Sequence, residues 1–453
     1  MVTRWAVAES GASQRYTVQA IDVATGARRA LADTIEYQYE SPRVSPDGTR
    51  VALVVSRRPT PQDPGGYWLG VVPIGGGEVR HLTADWDRWP DVPHWTPDGT
   101  ALVVSAHDGG HGPLWKVDAM TGELTRLTRG GAYADIQISP DGRWVYALRS
   151  SVDSPPAPVR IALDGSGTVE FLPGPAEALG VDTRVPGRLE EVTTTAADGT
   201  PLRAWLALPD RAGGDSPAPL LLWVHGGPLL SWHTWSWRWN PWLAVAEGYA
   251  VLLPDPALST GYGIDFIRRG WGCWGGTPYT DLMSITDAAL ERADLDAERT
   301  CAMGGSYGGY MANWIAGHTD RFSAIVTHAS IWALDQAMPT SDASHEWFRE
   351  MTAGMGEANS PHRFVDAITT PMLVIHADKD YRVPIGQGLR LWWDLMSRSK
   401  APDGSSPHKF LYFPEENHWV LTPSHAKIWY ATVFAFLGHH VCGREWQRPE
   451  LLG

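Results

Sequence analysis

The chain has 453 residues, a hydrophobic fraction of 43%, a charged fraction of 19% and a formal net charge of −14. That length allows two or three domains with a large core, and the acidic balance argues against nucleic acid as a partner. No apolar run reaches the ~18 residues of a membrane helix, and the opening MVTRWAVAESGASQ has no leader pattern. Three widely spaced cysteines, Cys273, Cys301 and Cys442, make neither a disulfide framework nor a metal motif, so a cytoplasmic setting is expected. Most of the 24 tryptophans are expected in core or cleft linings.

Residues 1–187 repeat themselves. Pro46-Asp47-Gly48, Pro97-Asp98-Gly99 and Pro140-Asp141-Gly142 are turns in which Pro presets φ and Gly supplies a positive one. Each precedes an apolar strand: Val51–Val55, Ala101–Val104 and Trp144–Leu148. A second turn recurs at Asp22–Gly26 and Asp118–Gly122, and short strands end near Leu31, Leu82, Leu127 and Leu172, at intervals of 45 to 51 residues. Several strands per unit at that period predict propeller blades, about four of them, with an irregular β-sandwich as the alternative. The first blade opens near Arg4–Ala8, so the propeller is expected to be short and incomplete.

Gly174–Gly187 lacks pattern and is the expected hinge. Glu191–Thr195 and Leu202–Leu208 then form a hairpin around Ala197-Asp198-Gly199-Thr200. Beyond Pro209 the chain alternates wholly apolar strands (Leu220–Val224, Ala250–Leu253, Met372–Ile375) with helical stretches (Asp281–Ala293, Tyr307–His318). That alternation predicts a mostly parallel sheet with helices on both faces, an α/β-hydrolase architecture over residues 188–453.

Gly304-Gly305-Ser306-Tyr307-Gly308-Gly309 contains G-x-S-x-G between the strand Cys301–Met303 and a helix, the context of a nucleophile elbow. A serine nucleophile needs a base and an orienting carboxylate, following in the order Ser, Asp, His. His418 lies beyond the strand Phe410–Phe413, and the carboxylate lies beyond Ile375, where spacing leaves Asp378 and Asp380 as rivals. His376 is expected to be structural. His225-Gly226-Gly227-Pro228 follows a strand and matches an oxyanion loop, with the Gly227 and Tyr307 amides as donors. No metal motif is present and no cofactor is expected.

These residues resemble the prolyl oligopeptidase family of serine peptidases, with the closest likeness to its acylaminoacyl-peptidase and dipeptidyl-peptidase-like branches. The likeness spans residues 188–453 through HGGP (225–228), STGYG (259–263), Trp274-Gly275 through Asp281, GGSYGGY (304–310), Asp380-Tyr381-Arg382-Val383-Pro384 and Glu416-Asn417-His418. It implies a triad of Ser306, Asp380 and His418, with Asp380 chosen over Asp378. It also implies that Arg382 binds a substrate carbonyl and that short peptides are held at the mouth of a propeller cap. Ala257-Leu258 stand where the family usually carries Arg-Gly. Glu190-Glu191 lies beside the hinge rather than in a blade, so no paired glutamate is found to grip a free amino terminus. The expected function is a serine peptidase acting on short peptides, without nucleic-acid or membrane partners, as a homo-oligomer. The alternatives are an esterase on the same triad and a catalytically silent propeller interaction protein.

Overall fold

The Asp of each Pro-Asp-Gly turn reaches back to a hydroxyl two residues earlier. In the computed structural model Asp47 accepts from Ser45 Oγ, Asp98 from Thr96 Oγ1 and Asp141 from Ser139 Oγ, each at 2.6 Å. Hydrogen bonds from these hydroxyls hold the carboxyls of Asp47 and Asp141 down at about 2. A second motif repeats in the same way: Leu69 N donates to Thr83 Oγ1 at 3.0 Å and Leu114 N to Thr128 Oγ1 at 2.9 Å. The structure describes all residues except 10–12, 344–350, 353–354, 399–404 and 453.

The chain divides into two units. The first comprises Met1–Arg184, His233–Trp235 and Thr260–Arg268. It is built from antiparallel sheets in chain order: β1 (Val2–Glu9), β2 (Ser13–Ile21) and β3 (Arg28–Ala32); β4 (Tyr37–Val44), β5 (Arg50–Arg57), β6 (Gly66–Pro73) and β7 (Arg80–His81); β8 (His94–Trp95), β9 (Ala101–Ser105), β10 (Leu114–Asp118) and β11 (Leu124–Arg126); and β12 (Ala132–Ile138), β13 (Trp144–Ser151), β14 (Ser154–Ala162) and β15 (Val169–Phe171). Successive sheets share cores. Strand β5 shows why: Val51, Leu53 and Val55 pack toward the first sheet, while Ala52 and Val54 pack toward the third. Because side chains alternate across a strand, a run that is apolar at every position serves two neighbours. A third core joins the third and fourth sheets through Val103, Leu114, Val145 and Ile161.

The second unit comprises Val185–Trp232, Ser236–Ser259 and Arg269–Gly453. Its eight-stranded sheet has the order β16 (Arg188–Thr195), β17 (Pro201–Leu208), β19 (Ala250–Pro254), β18 (Ala218–Val224), β20 (Leu295–Gly305), β21 (Ala324–His328), β22 (Met372–Ala377) and β23 (Lys409–Phe413). β17 pairs antiparallel with both β16 and β19, and from β19 onward the strands run parallel. Strands β18, β19, β21 and β22 are buried at every position, as a parallel sheet covered on both faces requires. The expected helix at Asp281–Ala293 instead spans Thr277–Leu290, because Pro278 sets its first turn. The patternless Gly174–Gly187 contains one short helical turn, Pro175–Ala178. No helix among the described residues is long and apolar enough to cross a membrane.

Candidate active site

Strand β20 turns into the helix Tyr307–His318 at a single residue. Ser306 has φ 59° and ψ −120°, a left-handed conformation that costs a non-glycine residue roughly 1–3 kcal/mol. The glycines around it are steric necessities. A Cβ on Gly304 would lie 2.3 Å from Gly308 O, and one on Gly308 would lie 2.2 Å from Val224 O. One on Gly309 would lie 2.6 Å from Ser330 Cβ. Ser306 N donates to His328 O at 3.0 Å, which fixes the turn against the end of β21. From Cys301 to Gly317 every residue is buried except Ser306, which keeps access to solvent at a helix N-terminus.

Asp380 lies in the turn after β22. Its Oδ1 accepts from Arg382 N at 2.9 Å and Val383 N at 2.8 Å, and its Oδ2 accepts from His418 Nδ1 at 2.8 Å. Asp380 and His418 are both buried, whereas Asp378 is exposed. Two further buried histidines flank this pair. His376 Nε2 donates to Val383 O at 2.8 Å, and burial pushes its pKa down. His328 accepts from Trp429 Nε1 at 3.2 Å, and burial, with the neighbouring His418 and His376, holds its pKa at about 3. Both rings are therefore neutral near pH 7, which leaves His418 without a competing cation beside it.

The His225–Pro228 loop leaves β18 and passes the serine, since a Cβ on Gly226 would lie 3.6 Å from Ser306 Cβ. His225 is buried and pins the loop. Its Nδ1 donates to Gly226 O at 2.6 Å, and its Nε2 accepts from Ser259 Oγ at 2.9 Å. Burial pushes its pKa down, in keeping with that neutral tautomer. Gly227 has φ 116°, and a Cβ there would lie 2.8 Å from Leu229 N.

Arg382 Nε donates to Asp342 Oδ1 at 2.7 Å, with both side chains 49% exposed. Glu190 is held by Arg188 and Arg292, at 2.7 and 2.8 Å, and Glu191 by Arg203 at 2.6 Å. These glutamates therefore staple the second unit's own strands. The sequence did not point to Asp342, His328, Trp239 or the role of Glu416. Trp239 packs on Gly305, where a Cβ would meet its ring at 2.8 Å, and its centroid lies 5.3 Å from that of Trp419. Where the family usually has glycine, Leu258 is wholly buried with φ 82°.

Residues 235–444 match the model of the prolyl oligopeptidase family. Dipeptidyl-peptidase 5 of Aspergillus fumigatus (strain CBS 144.89 / FGSC A1163 / CEA10) is 31% identical over 430 residues, covering 90% of this chain and 57% of that protein. Dipeptidyl-peptidase 5 of Porphyromonas gingivalis (strain ATCC 33277) is 28% identical over 416 residues, covering 87% and 58%. The chain thus spans a little over half the length of the curated relatives it matches. In fold it is similar to acylaminoacyl peptidase of Pyrococcus horikoshii (TM-score 0.83, 18% identity, covering 100% of this chain and 71% of that one). It is also similar to a puromycin-hydrolyzing peptidase of Mycobacterium tuberculosis (TM-score 0.71, 20% identity, covering 97% and 77%).

Proposed function

Because the chain belongs to the prolyl oligopeptidase family, we propose that it is a serine peptidase cleaving short peptides through an acyl-enzyme. The observation that carries the reading is the buried 2.8 Å bond from His418 Nδ1 to Asp380, in the same unit as a solvent-accessible serine on a strained elbow. Ser306 Oγ adds to the scissile carbonyl carbon while its proton passes to His418 Nε2. Asp380 fixes the imidazole tautomer and stabilises the imidazolium. The amides of Gly227 and Tyr307 receive the oxyanion. His418 then protonates the leaving amine, the C–N bond breaks, and water hydrolyses the acyl-Ser306 ester by the same steps reversed. Arg382, held by Asp342, donates to a substrate backbone carbonyl.

In the same reading the sheets of residues 1–187 are about four blades of a partial propeller, supported by the recurring Ser/Thr-to-Asp turns and shared cores. Residues 188–453 are the peptidase domain, and the chain works in the cytoplasm as a homo-oligomer. The relatives named dipeptidyl-peptidase 5 add release of dipeptides from a free amino terminus as the mode to examine. The test is labelling with a fluorophosphonate, together with turnover of a peptide anilide, a matched ester, and peptides with free and acetylated amino termini. Labelling and anilide turnover that vanish in Ser306→Ala are expected. Ester turnover without any peptide turnover would favour the esterase alternative, and an unlabelled chain would refute the reading.

A further inference from the structure

The side of the site beyond His418 carries an aromatic wall with a cation on it. Trp419 follows His418 directly, with ring centroids 5.0 Å apart. Trp239 continues the wall, 5.3 Å from Trp419 and 5.5 Å from His328, and rests on Gly305 next to the serine. The Arg238 guanidinium lies over the Trp419 ring, with Cζ 4.0 Å from its centroid. Its backbone is fixed: Tyr430 Oη donates to Arg238 O at 2.6 Å, and Asn240 N donates to Tyr430 Oη at 2.8 Å. Asn240 Oδ1 in turn caps the helix Pro241–Ala246 by accepting from Trp242 N at 3.0 Å. The segment is thus anchored at Arg238 itself and just after it.

Acidic side chains outnumber basic ones in this chain, 51 to 37, and several other arginines of this unit are taken up by them. Arg269 binds Asp281, Arg203 binds Glu191 and Arg382 binds Asp342. Arg238 is exposed and has no ion pair with any described carboxylate, and partial burial pushes its pKa down. A guanidinium stacked on an indole keeps its in-plane N–H fork free, and that fork matches a carboxylate in two parallel bonds. The ring it lies on, Trp419, directly follows His418, which in the proposed mechanism hands a proton to the leaving amine, and this places the guanidinium on the leaving-group side of the pair.

We propose that Arg238 on Trp419 is a carboxylate-binding subsite for the leaving residue, so that peptides whose residue after the scissile bond carries a carboxylate are preferred. The inference rests on the peptidase reading and deepens it. The carboxylate has two sources, the α-carboxylate of a terminal residue or an acidic side chain. The test compares matched peptides that continue past one scissile bond as Ala acid, Ala amide or Asp amide, alongside an anilide of the same acyl part. In the wild type the acid is expected to exceed the amide by about tenfold in kcat/KM. In Arg238→Gln that ratio is expected to fall to about one, a loss well beyond any loss on the anilide. A gain for Asp amide that disappears in the variant would assign the side-chain source, and a gain for Ala acid the terminal one. An equal kcat/KM for all three peptides in the wild type, or a preference that survives Arg238→Gln, would overturn the proposal. Wild-type anilide turnover reports separately on the peptidase reading, since the anilide offers no carboxylate to Arg238.

Discussion

Glu416 ties together the two loops that carry Asp380 and His418. Its carboxylate accepts from Leu421 N at 3.0 Å, Thr422 N at 3.1 Å and His425 Nδ1 at 2.6 Å, while its backbone carbonyl accepts from Lys379 N at 3.0 Å. Burial pushes this carboxyl up, but hydrogen bonds from Leu421, Thr422 and His425 outweigh it and hold the pKa at about 2 instead of 4.5. A pKa depressed by folding stabilises the native state above the unfolded value, and the stabilisation is lost as pH falls through the folded one. Here that is about 3 kcal/mol at pH 7, of which roughly 1–1.5 kcal/mol is gone by pH ~3.5. Glu416→Gln removes the charge and leaves a donor without its acceptor, so it is expected to cost about 2–3 kcal/mol at pH 7. Urea unfolding of both proteins between pH 7 and ~3.5, followed by tryptophan fluorescence, should show the gap narrowing at the acid end. A gap independent of pH, or no gap at pH 7, would refute the reasoning.

Asp380→Asn sets an amide against His418 Nδ1 and should lower kcat by about 10³–10⁴-fold with the urea midpoint little changed, since Oδ1 still accepts from Arg382 and Val383. A loss below about tenfold would remove Asp380 from the proposed triad. Arg382→Ala should reduce kcat/KM for peptides about ten- to a hundredfold beyond its effect on small esters, and equal losses would confine its role to holding Asp342. Leu258→Gly relieves roughly 1–2 kcal/mol of backbone strain but deletes a buried leucine worth about 3–4 kcal/mol, so the thermal midpoint should fall. A rise would mean that strain outweighs packing there.

What could be read from the sequence is what local sterics compel. The helix Tyr307–His318 forms over the residues expected, because the elbow at its start tolerates only glycine at Gly304 and Gly308. Strands β18, β19 and β22 were visible as unbroken apolar runs, and three repeats were visible because each Pro-Asp-Gly turn is a complete local motif. Three of the four leucine markers, Leu82, Leu127 and Leu172, fall just past their short strands, yet each still donates into the neighbouring strand, to Leu69, Leu114 and Pro158. The period therefore records ladder register rather than strand ends. The features that escaped are those whose partner is remote in the chain. Trp239 meets Trp419 and Arg382 meets Asp342 only because the sheet order brings those loops to one edge, and no spacing encodes that. The rivalry of Asp378 and Asp380 has the same origin. Both follow β22 at strand-end distance, but Val383 N and Arg382 N converge on Asp380 while Asp378 faces solvent. A carboxylate needs fixed donors on one oxygen to aim the other, and Asp380 has two backbone amides in that role.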